Sequence, residues 1–154
     1  MNRAPEYVSV NDENVDDVFE QVFAPWVKAM GLRDLRAKDG KASAILPQNS
    51  ELQWANGAIC GQAIMSAIDT IVAIAISTHD RPSKGTASQS TQFLRRAFGE
   101  DLRIEASVLK FGATIAYAEA HVTFVNSGEL VAHSTAEFVF CGVQTTKGPS
   151  PAPI

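Results

Sequence analysis

Ala58-Ile-Cys-Gly-Gln-Ala-Ile-Met-Ser-Ala-Ile-Asp-Thr-Ile-Val-Ala-Ile-Ala-Ile-Ser77 decides how this chain folds. The stretch is apolar on nearly every side, with one carboxylate, Asp69, near its middle. Such a segment is either a membrane span or a helix enclosed by a core. At about 1.5 Å of rise per residue it spans roughly 30 Å, which fits both. A carboxylate at a bilayer centre costs about 2.5–3.5 kcal/mol, and Arg and Lys do not flank the stretch as closely as an oriented span requires. The buried helix is the better reading, and Asp69 then needs an explanation.

The surroundings are those of one globular unit. A chain of 154 residues has the length of a single domain, and 45% hydrophobic with 19% charged residues excludes wholesale disorder. The net charge of −4 argues against a nucleic-acid surface. Cys60 and Cys141 make no disulfide framework, and the first residues hold no apolar signal core, so a cytoplasmic, reduced protein is expected.

Upstream of the helix, Asn11 or Asp12 can cap a helical segment over 11–30 whose first turn carries Glu13, Asp16 and Asp17. Val15, Val18, Phe19, Val22, Phe23, Trp26 and Val27 give it an apolar face, and Pro25 breaks it. The polar run Arg33 to Lys41 ends in the turn signal Asp39-Gly40, and Ala42 to Leu46 reads as the first strand. Residues 48–57 form a loop carrying Trp54, leading into a central helix over 58–78.

Downstream, everything from Thr86 to about Val143 has strand character. Leu102, Ile104, Ala106 and Val108 alternate with polar residues. Phe111-Gly-Ala113 turns into a strand from Thr114 to Val125, and Asn126-Ser-Gly-Glu129 turns into a last one from Leu130. Short connections make these strands antiparallel. Ala116, Ala118 and Ala120, then Ala132, Ser134 and Ala136, are small residues at period two, which let the apolar helix approach one sheet face closely. The architecture that follows is α+β, a curved antiparallel sheet wrapped around one long helix. Residues 1–144 form the domain, and 145–154 are a Pro-rich, disordered tail.

Cys60-Gly61-Gln62, with Asp69 nine residues after Cys60, resembles the signature of the PaaI-type hotdog thioesterases, where His-Gly-Gly opens the central helix and an acid follows at that spacing. Thr86-Ala-Ser-Gln-Ser-Thr-Gln-Phe-Leu-Arg-Arg-Ala97 is similar to that family's strand ending in Phe-Leu-Arg-Pro-Ala. Leu109-Lys-Phe-Gly112 followed by Ala116-Tyr117 matches its next two strands, and the likeness covers roughly residues 16–141. The resemblance implies a hotdog fold, hydrolysis of an acyl-CoA, a homodimer or homotetramer, and Asp69 as general base or nucleophile. Thr86 takes the position of a hydroxyl that orients the acid or water. Cys60 and Gln62 replace the family's His and second Gly, and Arg96 its usual Pro.

The residues support parts of this independently. Asp69 has Met65, Ser66, Val72 and Ala73 as helical neighbours, so no local cation compensates it. A carboxyl buried without a partner has a tunable charge, as a catalytic base needs. Gly61 and Gln62 stand at the helix N-terminus, whose free N–H groups and dipole suit an oxyanion. Asn56 is a substitute donor for the missing imidazole. Cys60 and Trp54 are placed at the substrate, while Arg95, Arg96, Lys110, Phe111 and Gly112 are candidates for the phosphates, adenine and pantetheine of coenzyme A. Cys60 as a nucleophile needs a histidine, and His79 lies roughly 28 Å along the axis. His79, His121 and His133 show no ligand-like spacing, so no metal and no cofactor beyond the coenzyme A of the substrate are expected. A non-hydrolytic acyl-CoA or fatty-acyl binding protein is the second reading, motivated by the lost His-Gly-Gly, and a dehydratase on the same fold is a third without support.

Overall fold

The computed structural model describes residues 7–140. The tail expected over 145–154 lies outside them, as does Cys141. Helix α1 (Val15–Val22) and helix α2 (Pro25–Lys28) cover the N-terminal region. Pro25 stands at the first position of α2, after Ala24 in extended conformation, and so separates the two helices as expected. Asn11 Oδ1 accepts from the amides of Glu13 and Asn14, whereas Asp12 Oδ1 accepts from the Ala37 amide and ties this region to the sheet.

Six strands follow: β1 (Arg33–Lys38), β2 (Lys41–Leu46), β3 (Ser83–Phe93), β4 (Leu102–Phe111), β5 (Ile115–Phe124) and β6 (Leu130–Phe140). They form one antiparallel sheet in the order β1-β2-β4-β5-β6-β3. The polar run before Asp39-Gly40 is therefore not a loop; it is the edge strand β1. Asp39 (φ 48°) and Gly40 (φ 76°) both take positive φ, the backbone that closes a two-residue hairpin. Only Leu35 and Ala37 of β1 face the core, between charged neighbours, which hides the strand from a hydrophobic pattern.

The apolar segment forms helix α3 (Gly61–Ile76), which the sheet wraps. Ala67, Ile68, Ile71, Val72, Ala75 and Ile76 are fully buried. The small-residue rows do what their spacing implies. Ala116, Ala118, Ala120, Ala132, Ser134 and Ala136 are all buried, and Ala118 pairs with Ala136 while Ala120 pairs with Ser134. Short side chains on both strands leave room for the helix at native packing density. Among the described residues no helix is long and apolar enough to cross a membrane.

The C-terminal end of α3 carries no basic residue in its last turn, and its exposed carbonyls are met from elsewhere. The amide of Val10 (2.8 Å) and the hydroxyl of Tyr7 (3.0 Å) both donate to the Ser77 carbonyl. Burial, with a smaller contribution from the charge of Asp80, raises the pKa of the Tyr7 hydroxyl and keeps it a donor.

Candidate active site

Asp69 sits halfway along α3 on the side that meets the edge strand β3. Gln89 of β3 donates through Nε2 to the Met65 carbonyl one turn earlier (3.2 Å), which fixes the strand against that side. The Thr86 hydroxyl donates to Asp69 Oδ1 at 2.5 Å. The contact puts the Thr86 hydroxyl where the resemblance placed it, against the acid. Asp69 is half-buried, one oxygen is held by Thr86, and the other has no hydrogen-bond partner among the described residues. The neighbouring hydroxyls do not compete for it. Ser66 Oγ donates to the Gln62 carbonyl and Thr70 Oγ1 to the Ser66 carbonyl, both 2.8 Å. An oriented carboxylate with a free oxygen can take a proton from water or attack a carbonyl itself.

The helix start is open. Cys60 is its N-cap in extended conformation, and its side chain makes no capping bond. The first helical amide with an acceptor is that of Ile64, which donates to the Cys60 carbonyl. The amides of Gly61, Gln62 and Ala63 therefore point out of the first turn with the positive end of the dipole. Phe93 of β3 packs on Gly61, where an added Cβ would lie 3.2 Å from the ring. Sequence reasoning had Phe93 inside a motif and assigned it no role. Its contact depends on the sheet order, which sequence spacing does not contain.

Asp69 and the helix start do not meet within one chain. Eight residues of helix separate Gly61 from Asp69, about 12 Å along the axis. Cys60 and Gln62 instead line a cavity of about 430 Å³ with Trp26, Met30, Leu52 and Ser66. This gives Trp26 and Met30 a place beside the helix start. Trp54 is exposed in the loop before the helix, and Asn56 uses its Oδ1 to accept the Ala58 amide (3.1 Å), shaping that loop.

The candidates for the coenzyme A end are dispersed. Arg95 donates to the Leu130 carbonyl (2.9 Å) and lies 3.8 Å from Glu129. Arg96 and Lys110 are exposed. Phe111 packs on His79 (ring centroids 4.3 Å) near Phe140, beyond the far end of α3. Gly112 fills a turn in which an added Cβ would stand 2.4 Å from the Ile115 carbonyl oxygen, so the turn explains that glycine without a ligand. No histidine reaches Cys60. His79 is at the opposite end of α3, and His121 and His133 lie on the outer face of the sheet. Residue spacing set the three histidines apart from any ligand pattern, but the β5–β6 register places His121 directly opposite His133.

Residues 56–130 match the model of the thioesterase superfamily, the segment from the loop before α3 to the start of β6. The conserved protein PA5202 of Pseudomonas aeruginosa is 27% identical with a TM-score of 0.72, over 79% of this chain and 98% of that one. Zebra fish thioesterase superfamily member 2 is 24% identical with a TM-score of 0.78, over 86% and 100%. The PaaI protein of the E. coli phenylacetic acid degradation operon is 20% identical with a TM-score of 0.75, over 84% and 92%. No curated protein matches the sequence. The fold is the hotdog fold, and the resemblance to PaaI-type hotdog thioesterases read from the motifs holds.

Proposed function

We propose that this chain is an acyl-CoA thioesterase of the PaaI type, with Asp69 as the reacting acid. The observation that carries the reading is the Asp69–Thr86 contact between α3 and β3, with one carboxylate oxygen held and the other free. Thr86 orients the carboxylate, Asp69 takes a proton from water, and the hydroxide adds to the thioester carbonyl. The amides of Gly61 and Gln62 hold the resulting oxyanion. The C–S bond then breaks, the proton passes to the departing thiolate, and a carboxylic acid and free coenzyme A leave. Direct attack by Asp69, through an anhydride that water opens, uses the same groups.

The separation of about 12 Å between Gly61 and Asp69 makes a single chain incomplete for this step. A two-fold dimer, in which the helix start of one subunit faces Asp69 of the other, completes it. The edge of β3 away from β6 has no strand partner among the described residues, and Met65, Phe93 and Leu94 are exposed around it. These features support that face as the dimer seam. For the ligand, support comes from a hypothetical thioesterase protein of Streptococcus pneumoniae solved with coenzyme A, which is 16% identical with a TM-score of 0.66.

A non-hydrolytic acyl-CoA binding protein is the second reading. It is favoured by Cys60 in place of the family's imidazole. The test follows released thiol with purified wild type and Asp69→Asn on short, long and aromatic acyl-CoAs. Hydrolysis that falls about a hundredfold or more in a folded variant is the expected result. Tight binding without turnover by wild type would move the conclusion to the binding protein.

A further inference from the structure

Glu119, His121 and His133 converge on the face of the sheet opposite α3. Their neighbours Ala118, Ala120, Ala132 and Ser134 are buried under the helix, so the period-two alternation turns these three outward. His121 and His133 are direct cross-strand partners with ring centroids 4.8 Å apart and planes at 53°. Glu119, two residues before His121 on the same face, reaches diagonally to His133, with Oε2 at 3.4 Å from Nε2. One ligand atom from each of the three lies within 4.8 Å of the others. We propose that Glu119, His121 and His133 form a binding site for a divalent cation of the zinc class, with Zn²⁺, Co²⁺ or Ni²⁺ as occupant.

The chemistry and the geometry agree. Two imidazoles and one carboxylate are the donors that borderline first-row cations take, whereas Mg²⁺ and Ca²⁺ call for oxygen throughout. Bonds of about 2.0–2.1 Å to a tetrahedral ion place ligand atoms roughly 3.3 Å apart, the separation Glu119 and His133 already have. Bringing His121 in needs a shift on the order of 1 Å at the ring tip, within reach of side-chain rotation. The ligands stand on two strands in the interior of the sheet, so the backbone presents them in fixed register. Both Glu119 and His133 keep only about a third of their side-chain surface open (34% and 31%), which lowers the cost of drying a bound ion.

Two further features fit an ion at this place. Glu105 of β4 is the cross-strand partner of His121 on its other side and adds a negative charge beside the cluster. A depression of about 630 Å³ lined by Arg36, Lys41 and Glu105 reaches His121, one of the three ligands, and gives solvent access on that side. Three protein donors leave a fourth position for water. The sheet lies between this cluster and Asp69, so the proposal does not rest on thioester hydrolysis. Its expected effect is a tie between β5 and β6 that strengthens the fold when loaded.

The experiment uses the untagged full chain, titrated with Co²⁺ and followed by visible absorption, with Zn²⁺ competition and thermal melting alongside. One equivalent of Co²⁺ per chain, displaced by Zn²⁺, and a higher Tm with metal are expected of wild type and of Cys60→Ser. His121→Ala and His133→Ala, checked as folded without metal, are expected to lose affinity by roughly tenfold or more and to lose the Tm rise. Affinity unchanged in both histidine variants, or no stoichiometric binding by wild type, overturns the site.

Discussion

At the level of single residues, the pair Asp69 and Thr86 separates orientation from chemistry. Thr86→Val keeps the shape of the side chain and removes the donor, leaving Asp69 in place without its anchor. Turnover is expected to fall about tenfold while the KM for acyl-CoA holds and the Tm moves little, since Thr86 is exposed. Steady-state kinetics with a melting curve check this, and loss of KM and Tm together would mark Thr86 as structural instead. The carboxylate was legible in the sequence because a lone acid in an apolar helix stands out. Its hydroxyl partner was legible only through the resemblance, since it is 17 positions away and reaches Asp69 through the packing of β3 on α3. That His121 and His133 lie on neighbouring strands was legible, but their direct pairing was not. A register between two strands is set by the turn and by which face is buried, and residue spacing alone does not encode it.

Among the elements, α3 and its cradle show the strongest agreement between pattern and structure. An all-apolar helix has one place to go, and rows of alanine on two neighbouring strands say where. That cradle is tight. Ala120 is fully buried, with Ala106 opposite on β4 and Ser134 opposite on β6. Ala120→Leu is expected to overpack it and cost about 1–3 kcal/mol. At about 2–4 °C per kcal/mol for a domain of this size, thermal melting reads the loss directly. A Tm unchanged within a degree would show slack between sheet and helix. The strand β1 marks the opposite case. Two buried residues among six, on an edge, leave too weak an alternation to be told from a loop, and only the Asp39-Gly40 turn hinted at a hairpin.

For the whole molecule, the question is whether one chain suffices. If the site joins Asp69 of one subunit to the helix start of another, two differently damaged chains are expected to repair each other. Gly61→Pro removes one oxyanion donor at a helix position where proline is tolerated; Cys60 already has the extended conformation that precedes proline (φ −70°, ψ 151°), and the Phe93 ring, 3.2 Å from the added Cβ, must give by a few tenths of an ångström. Mixed and refolded with Asp69→Asn, it is expected to restore roughly a quarter of wild-type turnover by statistical pairing, from one intact site in each mixed dimer. Sedimentation shows whether the chains associate. No recovery from chains that do associate would place both halves of the site in one subunit. The sheet order carries a different consequence for how the chain is made. Among the described residues strand β3 pairs only with β6, the last of the six strands to be synthesised, so at ribosomal speed it waits roughly 2–10 s with both edges bare. Its sequence, Ser-Lys-Gly-Thr-Ala-Ser-Gln-Ser-Thr-Gln before the single Phe93, is soluble enough to wait. The polar strand that closes the sheet is also the one a growing chain can leave unpaired without sticking to its neighbours on the polysome.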